Sequence, residues 1–180
     1  MTSNDTDLCY FSHQRTVAGM PSDAELTFAD HAGRFYARRY GYPPMVGRLL
    51  GYLSVCDPRE QTLGELSDAL LASRSAIAGA VKTLEDLGAI RRSRAAGQRA
   101  DRVSVDVNSS RATGFDVSEY REMSELAREG LHAIDGTPVE RRAALLEMSA
   151  LADFLTDRIP ALHEEWKKHR ESLRAQGELP

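Results

Sequence analysis

The sequence predicts a mainly helical chain with one small β-hairpin, built around a helix-turn-helix. Three observations lead there. Two short amphipathic stretches follow one another from Thr62 to Leu87, each opened by a capping residue. Gly88 then separates the second stretch from two short runs, Ala89–Arg94 and Arg102–Val107, that fold back across a turn at Gly97. Longer stripes of apolar residues at helical spacing stand on both sides of this unit.

Each boundary has a physical cause. Thr62 caps a helix, and Glu65 three residues on completes a capping box, in which side chain and backbone satisfy each other's unpaired groups. Leu63, Leu66, Leu70 and Leu71 are expected on its core face. Ser73 is a favourable cap for the next helix. There Ile77, Val81, Leu84 and Leu87 step by one helical turn and share the buried side. Gly88 stands where helices commonly end in a left-handed residue.

The opposite face of the second helix carries Ser73, Arg74, Ser75, Ala78, Gly79, Lys82 and Thr83. A helix that enters the major groove needs small residues for close approach and donors for base edges and phosphates. The hairpin adds Arg91, Arg92, Arg94, Arg99 and Arg102. From Ala72 to Val103 there are seven Lys+Arg and three Asp+Glu, a net of +4, in a chain of net charge −4, so the remainder carries −8. A basic island in an acidic protein is the footprint of phosphate binding. The residues read as the nucleic-acid-binding set are Ser73, Arg74, Ser75, Ala78, Gly79, Lys82, Arg92, Arg94, Arg99 and Arg102. Arg99, at the hairpin tip, is expected in the minor groove or on its phosphates.

At these residues the sequence resembles the winged-helix repressors of the MarR family, and within it the GbsR-like branch. The pattern runs Ser73-Arg-Ser-Ala-Ile, then Leu84-Glu and Gly88-Ala-Ile-Arg-Arg, then Gly97-Gln-Arg99. The resemblance implies a winged helix-turn-helix flanked by N- and C-terminal dimerisation helices. It implies a homodimer on a palindromic operator in double-stranded DNA, acting as a repressor released by a small effector. It also implies an effector pocket where the dimer helices meet the winged helix, for which Phe35, Tyr36, Met45, Tyr52 and Cys56 are the candidates. The chain departs from the family at Gln98, where many wings place an acidic residue before the tip arginine. The ion pair that stiffens such wings is therefore expected to be lost.

The flanks follow helix grammar. Residues 1–21 read as an N-terminal arm whose Leu8-Cys9-Tyr10-Phe11 patch docks on a partner subunit or has no fixed place. Residues 22–57 read as two helices for dimerisation and the pocket. Ser22 and Glu25 form a second capping box, Gly41 is a stop, and Pro43-Pro44 open the next helix. Residues 58–108 form the DNA-binding domain. Residues 109–180 read as C-terminal dimerisation helices, first from near Ala112 to His132. A second is expected from a Thr137 cap with Pro138 and Glu140, carrying Leu145, Leu146, Met148, Leu151, Phe154, Leu155 and Ile159. Pro160 is expected to break it, leaving a charged last helix over Ala161–Arg174.

The 180 residues are 42% hydrophobic and 28% charged, enough for a real core in a soluble protein. No apolar run approaches the roughly 18 residues of a membrane span, and the polar, acidic start does not read as a secretory signal. A cytoplasmic location is expected. The widely separated Cys9 and Cys56 make no disulfide framework or zinc site, and no cofactor or metal is implied. His163 and His169 are spaced to point in different directions. Glycine-rich phosphate loops, His-Glu-x-x-His and nucleophile elbows are absent from the sequence, so an enzyme is not expected. Two further readings stay open: a protein-interaction module that uses the winged helix for assembly, and a thiol-sensing regulator acting through Cys9. The flanking helices carry more apolar face than one small winged helix covers, which points to self-association.

Overall fold

The computed structural model describes residues 20–94 and 100–180. The elements are α1 (Asp23–Tyr40), α2 (Pro44–Val55), β1 (Gln61–Thr62), α3 (Leu63–Ala69), α4 (Arg74–Asp86), β2 (Ile90–Ser93), β3 (Arg102–Val105), α5 (Ser118–Ala133) and α6 (Val139–Ala175). They fall into two compact units. One takes the chain to residue 86 together with 90–105, and the other takes residues 87–89 and 106–180.

In the first unit the helix ends lie where the capping chemistry puts them. Ser22 and Thr62 each accept from the backbone N–H three residues on, and Glu25 and Glu65 return the bond. Gly41 is left-handed at φ 70°, as is Gly88 of the second unit at 67°. Helices α1 and α2 meet through small residues. A Cβ added at Gly51 would lie 2.5 Å from the Ala32 Cβ, and one at Gly47 would lie 2.8 Å from the Tyr36 Cβ. The core then closes over Leu49, Leu66, Leu70, Ile77, Val81, Leu84 and Val103, all essentially inaccessible.

Two expectations for this unit change. The hairpin is part of a three-stranded antiparallel sheet in the order β1-β3-β2, with Gln61 opposite Val103 and Arg92 opposite Val103 on the other side. β1 is only Gln61–Thr62, too short to show alternation, and Thr62 doubles as a helix cap. Leu71 does not join Leu66 and Leu70 in the core. The helix ends at Ala69, Leu71 turns left-handed at φ 48°, and its side chain is 90% exposed.

In the second unit α5 packs along α6. Ser124, almost fully buried, donates to the Asp153 carboxylate at 2.7 Å, and Arg128 reaches both oxygens of Asp153 at 2.9 Å. The segment before α5 lies along α6, with the Phe115 ring stacked on His163 at 4.6 Å and Arg170 donating to Asn108.

Three helix boundaries differ from the sequence reading. The helix expected from Ala112 starts at Ser118, after turns that include left-handed Gly114 and an Asp116 side chain accepting from the Ser118 N–H. Thr137 does not cap α6, because its hydroxyl donates back to the Ile134 carbonyl and Pro138 stands at the cap position. Pro160 does not break the last helix, which runs 37 residues through it. A proline removes one helical hydrogen bond, and a helix this long keeps its other turns. Of the wide apolar stripe only Ile159 is buried, while Leu146, Leu151 and Phe154 are exposed. Among the described residues no helix is long and apolar enough to cross a membrane.

Candidate nucleic-acid interface

Helix α4 is short and amphipathic because its two faces have separate tasks. Ser73 starts it, its hydroxyl accepting from the Ala76 N–H at 3.2 Å and its carbonyl from the Ile77 N–H at 3.0 Å. Ile77, Ala80, Val81 and Leu84 fasten it to the core. That anchoring turns Ser73, Arg74, Ser75, Ala78, Gly79 and Lys82 to solvent. A Cβ at Gly79 would meet nothing within 4 Å. The helix surface there is bare backbone, open to close approach by another molecule.

The wing lies beside this helix and is tied to it by charge. Arg92 on β2 makes a bidentate pair with Glu85 of α4, its second bond at 2.9 Å. Arg94 donates to Asp101 at 2.6 Å, and Arg92 stands 4.0 Å from the same carboxylate. The bond from Arg94 holds the Asp101 carboxyl below its ordinary range, with the charges of Arg94 and Arg92 adding to it. On β3, Arg102 turns inward. It is half-buried, 3.2 Å from Glu65 and 2.9 Å from the Glu60 carbonyl, while Ser93 donates to the Glu60 carboxylate.

The predicted cations thus divide. Arg74 and Lys82, with Arg91 of the hairpin, are exposed and make no ion pair among the described residues. Arg92 and Arg94 are exposed but partnered, and Arg102 braces the wing against α3. Arg99 lies outside the described residues, as does Cys9. Sequence reasoning missed Asp101 and Glu85 as partners of the wing, and the second role of Glu65 on Arg102. The stiffening ion pair expected to be lost at Gln98 has a counterpart at Arg94–Asp101. The signal was an acid next to Arg102, offset by strand pairing that periodicity does not reveal.

The five pocket candidates are not gathered at one place. Phe35 and Tyr36 belong to an aromatic cluster with Tyr40 and Tyr42 around the end of α1. Phe35 is half exposed, and Met45 is half-buried. Tyr52 and Cys56 are core residues, and the Tyr52 phenol is raised by burial and by the charges of Cys56, Glu25 and Glu65, the last two near the starts of α1 and α3. Burial also pushes the Cys56 thiol up to about 11. A shallow surface depression on α1 and α2 is lined by Gly33, Arg34, Ala37, Arg38 and Pro44, none of the five.

A core-anchored helix that offers small, hydrogen-bonding and cationic side chains beside an arginine-rich antiparallel sheet defines a winged helix-turn-helix DNA-binding protein. A family model described as an MmpR5-like MarR family transcriptional regulator matches residues 110–169. The HTH-type transcriptional regulator MmpR5 of Mycobacterium tuberculosis (strain ATCC 25618 / H37Rv) is 32% identical over 131 residues, covering 72% of this chain and 79% of that protein. The crystal structure of a transcriptional regulator, 29% identical, superposes with a TM-score of 0.74 and covers 81% of this chain and 99% of its own. The chain belongs to the MarR family of transcriptional regulators, proteins that are not enzymes. The family match lies beyond the wing, whereas the sequence resemblance rested on Ser73–Arg99, so separate parts of the chain agree.

Proposed function

We propose that the protein is a homodimeric repressor that binds a palindromic operator and is released by a small effector. The observation that carries this reading is the exposed face of α4 beside an ion-paired wing. Ser73, Arg74, Ser75, Ala78, Gly79 and Lys82 enter the major groove, and Arg91, Arg92, Arg94 and Arg99 follow the backbone or the adjacent minor groove. Arg102 serves as a brace. Residues 58–108 bind DNA, and the helices of 22–57 and 109–180 join two copies. Exposed Leu146, Leu151, Phe154 and Leu162 on α6 support that pairing, since stripes of this kind mark interfaces. A twofold dimer then offers recognition helices to major grooves about 34 Å apart. The effector is a small apolar or aromatic compound, with the cluster of Phe35 and Tyr36 as its first candidate site. The GbsR-like placement rests on the sequence pattern from Ser73 to Arg99 alone, and the matching family model is the MmpR5-like one. The cytoplasm is the compartment that fits.

Selection of operators from a randomised duplex pool by the full-length protein tests the whole reading. The expected result is an inverted repeat bound by two chains, with log affinity falling linearly in log salt. Enrichment of no sequence, or binding by one chain to a site without symmetry, refutes it. A thermal-shift screen adds the effector: a hit must raise the melting temperature and release the selected operator.

A further inference from the structure

We propose that Leu71 touches DNA, against the C5-methyl group of a thymine at the edge of each half-site. It would thereby determine specificity from outside the recognition helix. The inference rests on the DNA-binding reading above.

Three observations carry it. Leu71 is the one non-glycine residue at positive φ among the described residues, at 48°. Glycine adopts that conformation freely and leucine does not. Its side chain is 90% exposed, so burial does not explain an isobutyl group there. The turn is also held from both sides. Arg48 donates to the Leu70 carbonyl at 2.7 Å, and the Ser67 hydroxyl donates to the Ala72 carbonyl at 2.6 Å. The Ala72 N–H returns a bond to the Ser67 carbonyl at 3.1 Å. Folding alone would favour glycine at this position. The chain instead fixes the turn and presents a large apolar group on it. Backbone strain held in place by its surroundings is a mark of function.

The location names the partner. Ser73, two residues on, starts α4, and the N-terminal residues of a recognition helix are the ones that meet base edges. In the major groove the apolar feature of a base pair is the thymine methyl group. An exposed leucine beside the entering end of the helix has the chemistry to meet it.

The test uses full-length protein, the selected operator, and duplexes in which single thymines are exchanged for uracil, which deletes only the methyl group. Leu71→Gly and Leu71→Asn both suit a left-handed turn and remove the apolar contact. Wild type is expected to lose about fourfold in affinity per half-site at one exchanged position, the worth of one buried methyl group. Both variants should bind the thymine operator correspondingly more weakly, ignore the exchange, and melt no lower than wild type. The inference is overturned if wild type ignores every exchange or if the variants keep its discrimination. A variant that loses self-association instead assigns Leu71 to a protein contact and also overturns it. Failure of wild type to select any operator sinks the DNA-binding reading itself. Selective binding without uracil sensitivity sinks the Leu71 contact alone.

Discussion

Gly51→Ala probes the tightest of the described glycine positions. The new methyl group would lie 2.5 Å from the Ala32 Cβ and 3.1 Å from the Ala29 Cα. Carbon atoms in contact sit about 3.5–4.0 Å apart, so α1 must retreat by roughly 1 Å. The nearest atoms belong to the body of a helix, which has no flexible end to yield. Overpacking of this kind costs about 1–3 kcal/mol, and the upper part of that range applies. Alanine in place of glycine returns about 1 kcal/mol of helix propensity. The expected net loss is about 2 kcal/mol, a fall of about 4–8 °C in melting temperature for a chain of this size. The assay is thermal melting followed by circular dichroism, on Gly51→Ala, Ala32→Gly and the double variant. Because the clash is with the Ala32 Cβ, the double variant should recover most of the loss, with a coupling energy of at least about 1 kcal/mol. Gly79→Ala is the control, since its Cβ meets nothing. It should gain about 0.5–1 kcal/mol and yet weaken operator binding by placing a methyl group on the groove face. A Gly51→Ala protein as stable as wild type, or no rescue by Ala32→Gly, refutes the packing argument.

Three further outcomes are expected. Arg74→Ala or Ser75→Ala should each lose about 1–3 kcal/mol at particular base pairs and relax preference there, as competition binding on single-base operator variants would show. The Asp101 carboxyl should titrate below the ordinary range of an aspartate, and Arg94→Ala should move the midpoint up, read by carbon NMR. Its folded value is depressed, so its stabilising contribution is present at neutral pH and lost as pH falls through that lowered midpoint. In a Cys9→Ser protein, Cys56 should resist iodoacetamide near about pH 8, where a thiolate is required for attack. Denaturant should restore its reactivity, because burial raises the thiol to about 11 only in the folded state.

Local chemistry was the part of the fold legible in the sequence. Both capping boxes, the left-handed Gly41 and Gly88, and the buried row Ile77, Val81 and Leu84 follow from spacing and turn residues alone. The failures arise where something beyond spacing and turn residues decides. Pro160 looks like a stop until the rest of a 37-residue helix carries through it. Leu71 fits a helical stripe until the turn ends the helix at Ala69, two residues earlier than the pattern requires. In the site, the exposed α4 face was legible because one helix defines it. The roles of Arg92, Arg94 and Arg102 were not, because Glu85 and Glu65 reach them from α4 and α3 and Asp101 from the residue before β3. Gly47 and Gly51 were passed over because their meaning appears only when α1 lies against them.

Glu65 creates a one-way dependence. Its carboxylate accepts from the Thr62 N–H at the start of α3 and also receives Arg102 from a strand 37 positions away. Removing the arginine leaves the cap whole. Removing the carboxylate takes away its half of the capping box and its hold on Arg102, leaving the Thr62 hydroxyl on the Glu65 N–H and the Glu60 carbonyl on Arg102. Damage at Glu65 therefore reaches both the cap and the wing, whereas damage at Arg102 spares the cap. In a background that already lacks the carboxylate, the arginine has nothing left to lose through that bond. The first helix of the motif can keep its cap when the wing is misplaced, but a helix that loses the Glu65 carboxylate also loses its ion pair to the wing, whose bonds to Glu60 remain.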